Sequence, residues 1–169
     1  MTLLFFGSFN PVHDGHILVA RAALKKYANA TVWFVLSAQN PFKKESDLWD
    51  YDKRKSLLED KLHDEPRMKI CTIEESLSKP SYTIDTLDAI TKQYPTENFC
   101  LLMGQDNLDE IVLWKDYEKI LEHFPIVVYP RNGGRTRCTD GAPELPAYSK
   151  ITILDEKLLD YSSTEIRQR

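Results

Sequence analysis

The sequence lacks any apolar run close to the roughly 20 residues that a membrane-spanning helix needs. Its N-terminal apolar run is only a few residues long and has neither a basic leader nor a cleavage site, so we expect a core strand and not a signal peptide. The sequence also lacks an excess of basic residues, since the formal net charge is −4 at pH 7. A general nucleic-acid surface needs a basic stripe. These absences argue against a membrane partner and against a nucleic-acid partner.

Cysteine is scarce, with only Cys71, Cys100 and Cys138, which are far apart and have no metal-ligand spacing. An odd number of scattered cysteines predicts reduced thiols in a cytoplasmic protein. The two standard phosphate loops, Gly-x4-Gly-Lys-Ser/Thr and Gly-x-Gly-x-x-Gly, are also absent. Their absence weakens the case for a kinase, a P-loop NTPase or a nicotinamide dehydrogenase.

Short apolar runs alternate with amphipathic segments along the chain, which is typical of an α/β fold with a parallel sheet. The length of 169 residues suits a single domain, and the hydrophobic content of 42% is ordinary for a globular protein. The predicted strands are 3–6, 31–36, 68–73, 99–103, 124–129 and 150–154. The predicted helices are 17–27, 51–63, a third from a Ser81 or Thr83 cap to Tyr94, a segment 114–123, and a last helix that begins at Ser162 or Ser163.

Residues 7–16 read Gly-Ser-Phe-Asn-Pro-Val-His-Asp-Gly-His and lie between the first strand and the first helix. The N-terminus of a helix offers unpaired N–H groups and the positive end of the dipole, so it binds anions. His13 and His16 could donate to the same anion, and we therefore expect phosphate chemistry here. Metal binding by this pair is less favoured, because His63 and His123 belong to other helices and no third ligand is evident.

Further polar residues follow the predicted strands. Lys43 and Lys44 lie in a polar loop after the second strand, where they could reach a phosphate or simply be solvated. After the fourth strand, Gly104 permits close approach of a ligand and Asp106 could accept hydrogen bonds from ribose hydroxyls. Trp114 taken alone favours core packing. Residues 131–149 predict a long surface loop.

Two motifs at opposite ends of the chain resemble signatures of the nucleotidylyltransferases. Residues 7–16 look like the His/Thr-x-Gly-His signature, and residues 162–167, Ser-Ser-Thr-Glu-Ile-Arg, resemble the C-terminal Ser-Ser/Thr-Thr-x-x-Arg signature. Between them, residues 80–87 and 104–106, followed by Trp114, are similar to the bacterial nicotinate-nucleotide adenylyltransferases. The resemblance covers Leu4 to Arg167.

The resemblance implies a Rossmann-like, doubly wound parallel sheet of about five to six strands with helices on both faces. It implies a cytoplasmic enzyme of NAD biosynthesis, a possible homo-oligomer, that moves AMP from ATP to nicotinate mononucleotide and forms deamido-NAD and pyrophosphate. Magnesium would be the cofactor, held mainly by the ATP phosphates and not by a protein metal site. Two other interpretations stay open: a related transferase that uses nicotinamide mononucleotide or phosphopantetheine, and a non-catalytic nucleotide-binding module.

The resemblance also implies roles for individual residues. The catalytic residues would be His13, His16 and Arg167. The ATP contacts would be Gly7, Ser8, Phe9, His13, Gly15, His16, Gly104, Asp106, Tyr129, Arg131, Ser162, Ser163, Thr164 and Arg167. The mononucleotide contacts would be Ser8, Asn10, Lys43, Lys44, Tyr82, Thr83 and Trp114. In this assignment Trp114 stacks on the nicotinate ring, and N–H groups at Tyr82–Thr83 favour its carboxylate.

Some positions depart from the pattern of the resembled family. Phe6 stands where many relatives have glycine, and Phe42 stands where many have histidine, which puts that loop's substrate contact in doubt. The chain ends at Arg169, one short turn past the last motif, whereas relatives usually continue with more helix. We expect either a frayed last helix or a truncated sequence.

Overall fold

The computed structural model describes residues 1–42, 44–130 and 144–155. Within these residues, six strands form one parallel sheet in the order β3-β2-β1-β4-β5-β6. The strands are β1 (Thr2–Gly7), β2 (Thr31–Leu36), β3 (Met68–Cys71), β4 (Phe99–Gly104), β5 (Ile126–Tyr129) and β6 (Ile151–Ile153). The predicted parallel α/β class is confirmed.

The described helices connect these strands as crossovers. They are α1 (Asp14–Lys26), α2 (Tyr51–Leu62), α3 (Thr83–Gln93), α4 (Gln105–Asp109) and α5 (Tyr117–His123). Single 3₁₀ turns occur at Glu45–Asp47, Ile73–Ser76 and Ile111–Leu113. No described helix has the length and apolar character needed to cross a membrane.

The helices cover both faces of the sheet, because successive side chains of a strand point to opposite sides. On one face, Leu3 and Phe5 belong to a buried cluster with side chains of α1 and α2. On the other face, Leu4 belongs to a second cluster with side chains of α3 and α5. The two clusters confirm the doubly wound arrangement.

The strand order reverses between β1 and β4, which lie side by side in the middle of the sheet. Crossovers from the two strands leave in opposite directions, so a crevice opens at their carboxyl ends. Gly7 ends β1 and Gly104 ends β4, and both therefore lie at this crevice. A ligand site is therefore expected between the first motif and the Gly104–Asp106 segment.

Two sequence predictions about helices were wrong. Trp114 does not lie in a helix: its backbone is extended (φ −80°, ψ 144°), between a 3₁₀ turn and α5. The break follows from Asp116, which adopts a left-handed conformation (φ 50°) before α5.

The proposed caps of α3 are also wrong, because Tyr82 is the N-cap residue and no side chain caps the helix. Ser81 instead donates its hydroxyl to Glu74 and to the carbonyl of Gln39.

Other helix and strand boundaries differ from the predicted ones by a few residues. The third strand ends at Cys71 and a 3₁₀ turn follows it, and the fifth strand begins at Ile126 rather than residue 124. The predicted last helix and most of the predicted loop 131–149 lie outside the described residues.

Candidate active site

A cavity of about 480 Å³ lies at the crevice between β1 and β4. This volume is within the range of small-molecule sites. Most of the residues proposed for the site line it, together with several others. The described lining residues include Gly7, Ser8, Phe9, Asn10, His13, Gly15, His16, Ser37, Asn40, Phe42, Glu74, Ser81, Tyr82, Thr83, Gly104, Asp106, Glu110, Trp114, Lys115 and Tyr129.

The two histidines stand at the start of α1, as the sequence predicted. His13 is the N-cap residue and His16 lies in the first turn, with their rings stacked at 3.8 Å between centroids. The backbone N–H of His13 donates to Nδ1 of His16 at 3.1 Å. Because Nδ1 accepts this bond, the proton of the neutral His16 ring is on Nε2. His16 thus carries a hydrogen-bond donor on the ring nitrogen opposite its anchor.

Phe9 holds the His16 ring from a second side. The Phe9 ring meets the His16 ring edge-on at 5.0 Å between centroids, and it also contacts Phe5 and Phe34. Phe9 has a left-handed backbone (φ 44°), and its side chain is 2% exposed. A Cβ on Gly7 would lie 2.9 Å from Cζ of this ring, so glycine is needed there. The ATP contact assigned to Phe9 stays a prediction, whereas its packing against His16 is a contact in the structure.

Ser8 and Asn10 differ in how their side chains are used. The Ser8 hydroxyl is buried and has no hydrogen-bond partner among the described residues. A ligand or water in the cavity could supply that partner. The Asn10 side chain donates to the carbonyl of Asp47 at 2.9 Å and accepts from the N–H of Trp49 at 2.8 Å. Asn10 therefore anchors a neighbouring loop, and its substrate contact stays a prediction.

The ends of β4 and β5 form another part of the wall. A Cβ on Gly104 would lie 2.9 Å from Oδ1 of Asp106, so the missing side chain leaves room for this carboxylate. Asp106 is exposed, as a group that is to accept from ribose hydroxyls must be. Tyr129, at the end of β5, is buried and also lines the cavity. All three residues therefore line the same cavity, and the ribose and adenine contacts assigned to them stay predictions.

The opposite part of the wall is aromatic. Trp114 and Tyr82 are partly buried, pack against the second core cluster and line the cavity. Thr83, the first residue of α3, lines it too, which brings the unpaired N–H groups of a helix start to this side. Lys115 is 3.0 Å from Asp85 and 5.0 Å from the Tyr82 ring centroid. Its hydrogen bond to Asp85 raises the pKa of Lys115.

Not every predicted residue is brought to the cavity. Lys44 is exposed and is not among the lining residues. Six predicted residues lie outside the part of the chain that the structure describes: Lys43, Arg131, Ser162, Ser163, Thr164 and Arg167. The phosphate contacts assigned to these six remain predictions. Within the described ranges, no group of three or more His, Cys, Asp or Glu side chains could hold a metal ion.

Sequence reasoning missed Glu74, whose side chain is 2% exposed. Its carboxylate accepts from the N–H of Ala38 at 3.1 Å, from the hydroxyl of Thr86 at 2.9 Å and from the hydroxyl of Ser81. In the sequence, Glu74 and Glu75 follow a predicted strand as an acidic pair, which is typical of a solvent-exposed surface. The pattern gave no signal for its burial.

Comparison with known proteins identifies the family of this chain. The family described as cytidylyltransferase-like matches residues 4–169. The probable nicotinate-nucleotide adenylyltransferase of Cytophaga hutchinsonii is 38% identical over 164 residues, covering 97% of this chain and 82% of that protein. The corresponding protein of Porphyromonas gingivalis is 38% identical over 167 residues, with coverage of 99% and 82%.

A solved structure supports the fold alone. Plasmodium falciparum nicotinic acid mononucleotide adenylyltransferase, complexed with NaAD, superposes with a TM-score of 0.77 at 17% identity, covering 99% of this chain and 82% of that one. The family model and the relatives, each of which spans almost all of the chain, establish its family. The chain is therefore a member of the cytidylyltransferase-like family, in its nicotinate-nucleotide adenylyltransferase branch.

Proposed function

We propose that this protein transfers AMP from ATP to nicotinate mononucleotide, forming deamido-NAD and releasing pyrophosphate. The observation that carries the proposal is a single cavity that joins a histidine-bearing helix start to an aromatic wall. His13 and His16 lie at the first, and Tyr82 and Trp114 lie at the second. One cavity can thus hold both substrates with their reacting phosphates near the histidines. We expect the reaction to take place in the cytoplasm, where ATP is available.

The reaction needs no covalent intermediate with the protein. The phosphate of the mononucleotide is already an anionic nucleophile at neutral pH, and it attacks the α-phosphorus of ATP. A bond forms between this phosphate oxygen and the α-phosphorus, the bond to the bridging oxygen breaks, and pyrophosphate leaves with the electron pair. Alignment of the two phosphates and stabilisation of the growing charge therefore account for the rate.

His16 is suited to stabilise that charge. Its Nδ1 is fixed by the His13 N–H, and its ring is held between His13 and Phe9, so the Nε2–H donor has a set direction. A donor that is fixed before the reaction costs little reorganisation when charge develops. Replacing His16 by alanine should lower turnover by ~10²–10³, the range for losing one such donor. His63→Ala, at the exposed C-cap of α2, is the matched control and should keep normal turnover.

The charged side chains that line the cavity are consistent with a need for magnesium. Among the described lining residues, the carboxylates of Glu74, Asp106 and Glu110 outnumber the one ammonium group, that of Lys115. Two polyanionic substrates in such a cavity require further positive charge, which magnesium on the ATP phosphates supplies when bound. The side chains would then orient the nucleotide, with Asp106 accepting from the ribose.

The aromatic wall is the proposed site for the pyridine ring. Trp114 would stack on the ring beside Tyr82, and the free N–H groups at the start of α3 would donate to the carboxylate. An amide on the ring has an NH₂ group that faces these donors without accepting from them. The acid should therefore be preferred over the amide.

The test is to incubate the purified protein with Mg-ATP and, separately, nicotinate mononucleotide, nicotinamide mononucleotide or phosphopantetheine. Pyrophosphate and the product are measured in each case. We expect fastest product formation with the acid. A faster reaction with either other acceptor would assign a related transferase activity, and absence of product with all three would leave only a nucleotide-binding role.

A further inference from the structure

A buried arginine, Arg54, donates hydrogen bonds only to backbone carbonyls among the described residues, and its guanidinium carbon lies 5.3 Å from the centroid of the Tyr51 ring. It belongs to α2, and its side chain is 1% exposed. Its guanidinium donates to the carbonyls of Ser8 and Ser37 at 2.8 Å each, to that of Trp49 at 2.9 Å and to that of Ala38 at 3.3 Å. No described carboxylate lies within 4.0 Å of it. Four of the five guanidinium N–H groups thus donate to uncharged backbone carbonyls.

These carbonyls belong to the two segments that follow β1 and β2. Ser8 lies directly after β1. The other three carbonyls lie in residues 37–42 and 44–50, which we call the acceptor loop. They occur at its beginning (Ser37, Ala38) and near its end (Trp49). One guanidinium therefore holds both ends of the acceptor loop against the first motif. Between these ends the loop lines the cavity with Asn40 and Phe42.

Glu74 holds the same loop from the other side. The N–H of Ala38 donates to Glu74 while the carbonyl of Ala38 accepts from Arg54, so two buried, oppositely charged groups fix consecutive peptides of the loop. Glu74 also accepts from Ser81, whose N–H donates to Gln39 of the acceptor loop at 3.0 Å. Through these bonds the acceptor loop is fixed relative to the start of α3.

Stability alone does not require charged groups at these positions. Burial lowers the pKa of Arg54 below its ordinary value, although the guanidinium remains charged at neutral pH. Desolvating a charge is costly, and well-packed apolar side chains often stabilise a fold equally well. What an apolar side chain cannot do is bind four carbonyls and so set the positions of Ser8, Ser37 and Trp49 relative to one another. The contacts therefore indicate that Arg54 sets the relative positions of the segments it binds.

We propose that Arg54 and Glu74 are positioning residues for the mononucleotide. They fix the acceptor loop, and with it Ser8, at the distance from Tyr82 and Trp114 that the mononucleotide requires. This inference rests on the proposed function. ATP should be affected less, because its expected contacts Asp106 and Tyr129 belong to the β4 and β5 side of the cavity, whereas the carbonyls that Arg54 binds follow β1 and β2. Of the four residues whose carbonyls Arg54 binds, only Ser8 is also an expected ATP contact.

The experiment compares Arg54→Lys with Arg67→Lys. Arg67 also donates to backbone carbonyls, those of Leu24, Tyr27 and Ala30. None of these three residues lines the cavity, whereas Ser8 and Ser37, which Arg54 binds, both do. Lysine keeps the charge and loses the fork that reaches several carbonyls. Arg54→Lys should raise KM for nicotinate mononucleotide about tenfold, with KM for ATP within about twofold, because a full 1 Å misplacement can cost ~10². Arg67→Lys should change neither KM.

A second pair keeps the test independent of the folding of Arg54→Lys. Glu74→Gln retains one oxygen for the Ala38 N–H, whereas Glu74→Leu has none, so the leucine variant should raise KM for the mononucleotide by several-fold more than the glutamine variant. Thermal unfolding and mononucleotide binding without ATP are measured for every variant. If both KM values rise together, or if kcat alone falls with the folded fraction, the pair is merely structural. If the wild type forms no dinucleotide, the proposed function fails, and this inference fails with it.

Discussion

Replacing Gly7 by alanine tests whether the packing around His16 sets the rate. The new Cβ would lie 2.9 Å from Cζ and 3.0 Å from Cε1 of the Phe9 ring. This ring is 2% exposed and is enclosed by Phe5 at 5.6 Å, Phe34 at 5.2 Å and His16 at 5.0 Å between centroids. The ring is already in contact with its three neighbours, so we expect part of its displacement to be passed to the His16 ring.

The size of the effect follows from the contact distances. Carbon atoms pack at roughly 3.5–4.0 Å, so the Phe9 ring must move by about 0.6 Å or more. Overpacking of this kind costs about 1–3 kcal/mol of unfolding free energy. If half of the displacement, about 0.3 Å, reaches His16, turnover should fall by about fourfold, given that ~10² accompanies a misplacement of 1 Å. Stability and turnover should therefore both decrease.

Urea unfolding and steady-state pyrophosphate release measure the two effects. The Gly7→Ala/Phe9→Leu double variant is the companion, because a smaller side chain at position 9 makes room for the new Cβ. Its losses should be smaller than the sum of those of the single variants, as expected for residues in contact. Wild-type turnover in Gly7→Ala, or strictly additive losses in the double variant, would refute a positioning role for the Phe9 ring.

Three further predictions concern other parts of the molecule. Gly104→Ala should displace the Asp106 carboxylate, since its Cβ would lie 2.9 Å from Oδ1; KM for ATP should rise by about tenfold and KM for the mononucleotide should not, whereas a rise in both would contradict the assignment. Chelation with EDTA should abolish pyrophosphate release and added MgCl₂ should restore it; activity that persists in EDTA would exclude the proposed role of magnesium. Burial raises the pKa of the Cys71 and Cys100 thiols, so the folded state favours the protonated form and its stability should decline as the pH rises past the ordinary thiol range. Alkylation at pH 8, followed by peptide mapping, should be at least about tenfold slower for these two thiols in the folded protein than in urea, and equal rates would contradict their burial.

Much of the sheet was predictable because its strands are buried on both faces. The continuous β-branched and aromatic run 31–36 coincides with β2, since such a run has no favourable alternative. The first motif was predictable for a different reason. Only residues 8–13 separate β1 from α1, so the two histidines of the motif stand at the helix start.

What the sequence could not supply depends on contacts between distant residues. Ser81 has the character of a cap, but the buried carboxylate of Glu74 takes its hydroxyl. Local spacing also suggested a helix through Trp114, where the cavity wall is extended. Arg54 offered one overlooked signal. It precedes Leu58 by four residues and Leu62 by eight, so it shares the inward stripe of α2.

The bond from the His13 N–H to Nδ1 of His16 has a consequence for the catalytic cycle. If His16 has the proposed role, its ring acts only by donating from Nε2 and neither gains nor loses a proton as pyrophosphate departs. It leaves each turnover in the same state in which it entered, and no slow proton exchange with solvent is needed before the next ATP binds. We therefore expect no slow proton exchange between the His16 ring and solvent from one turnover to the next. The cycle should be limited by the chemistry or by product release.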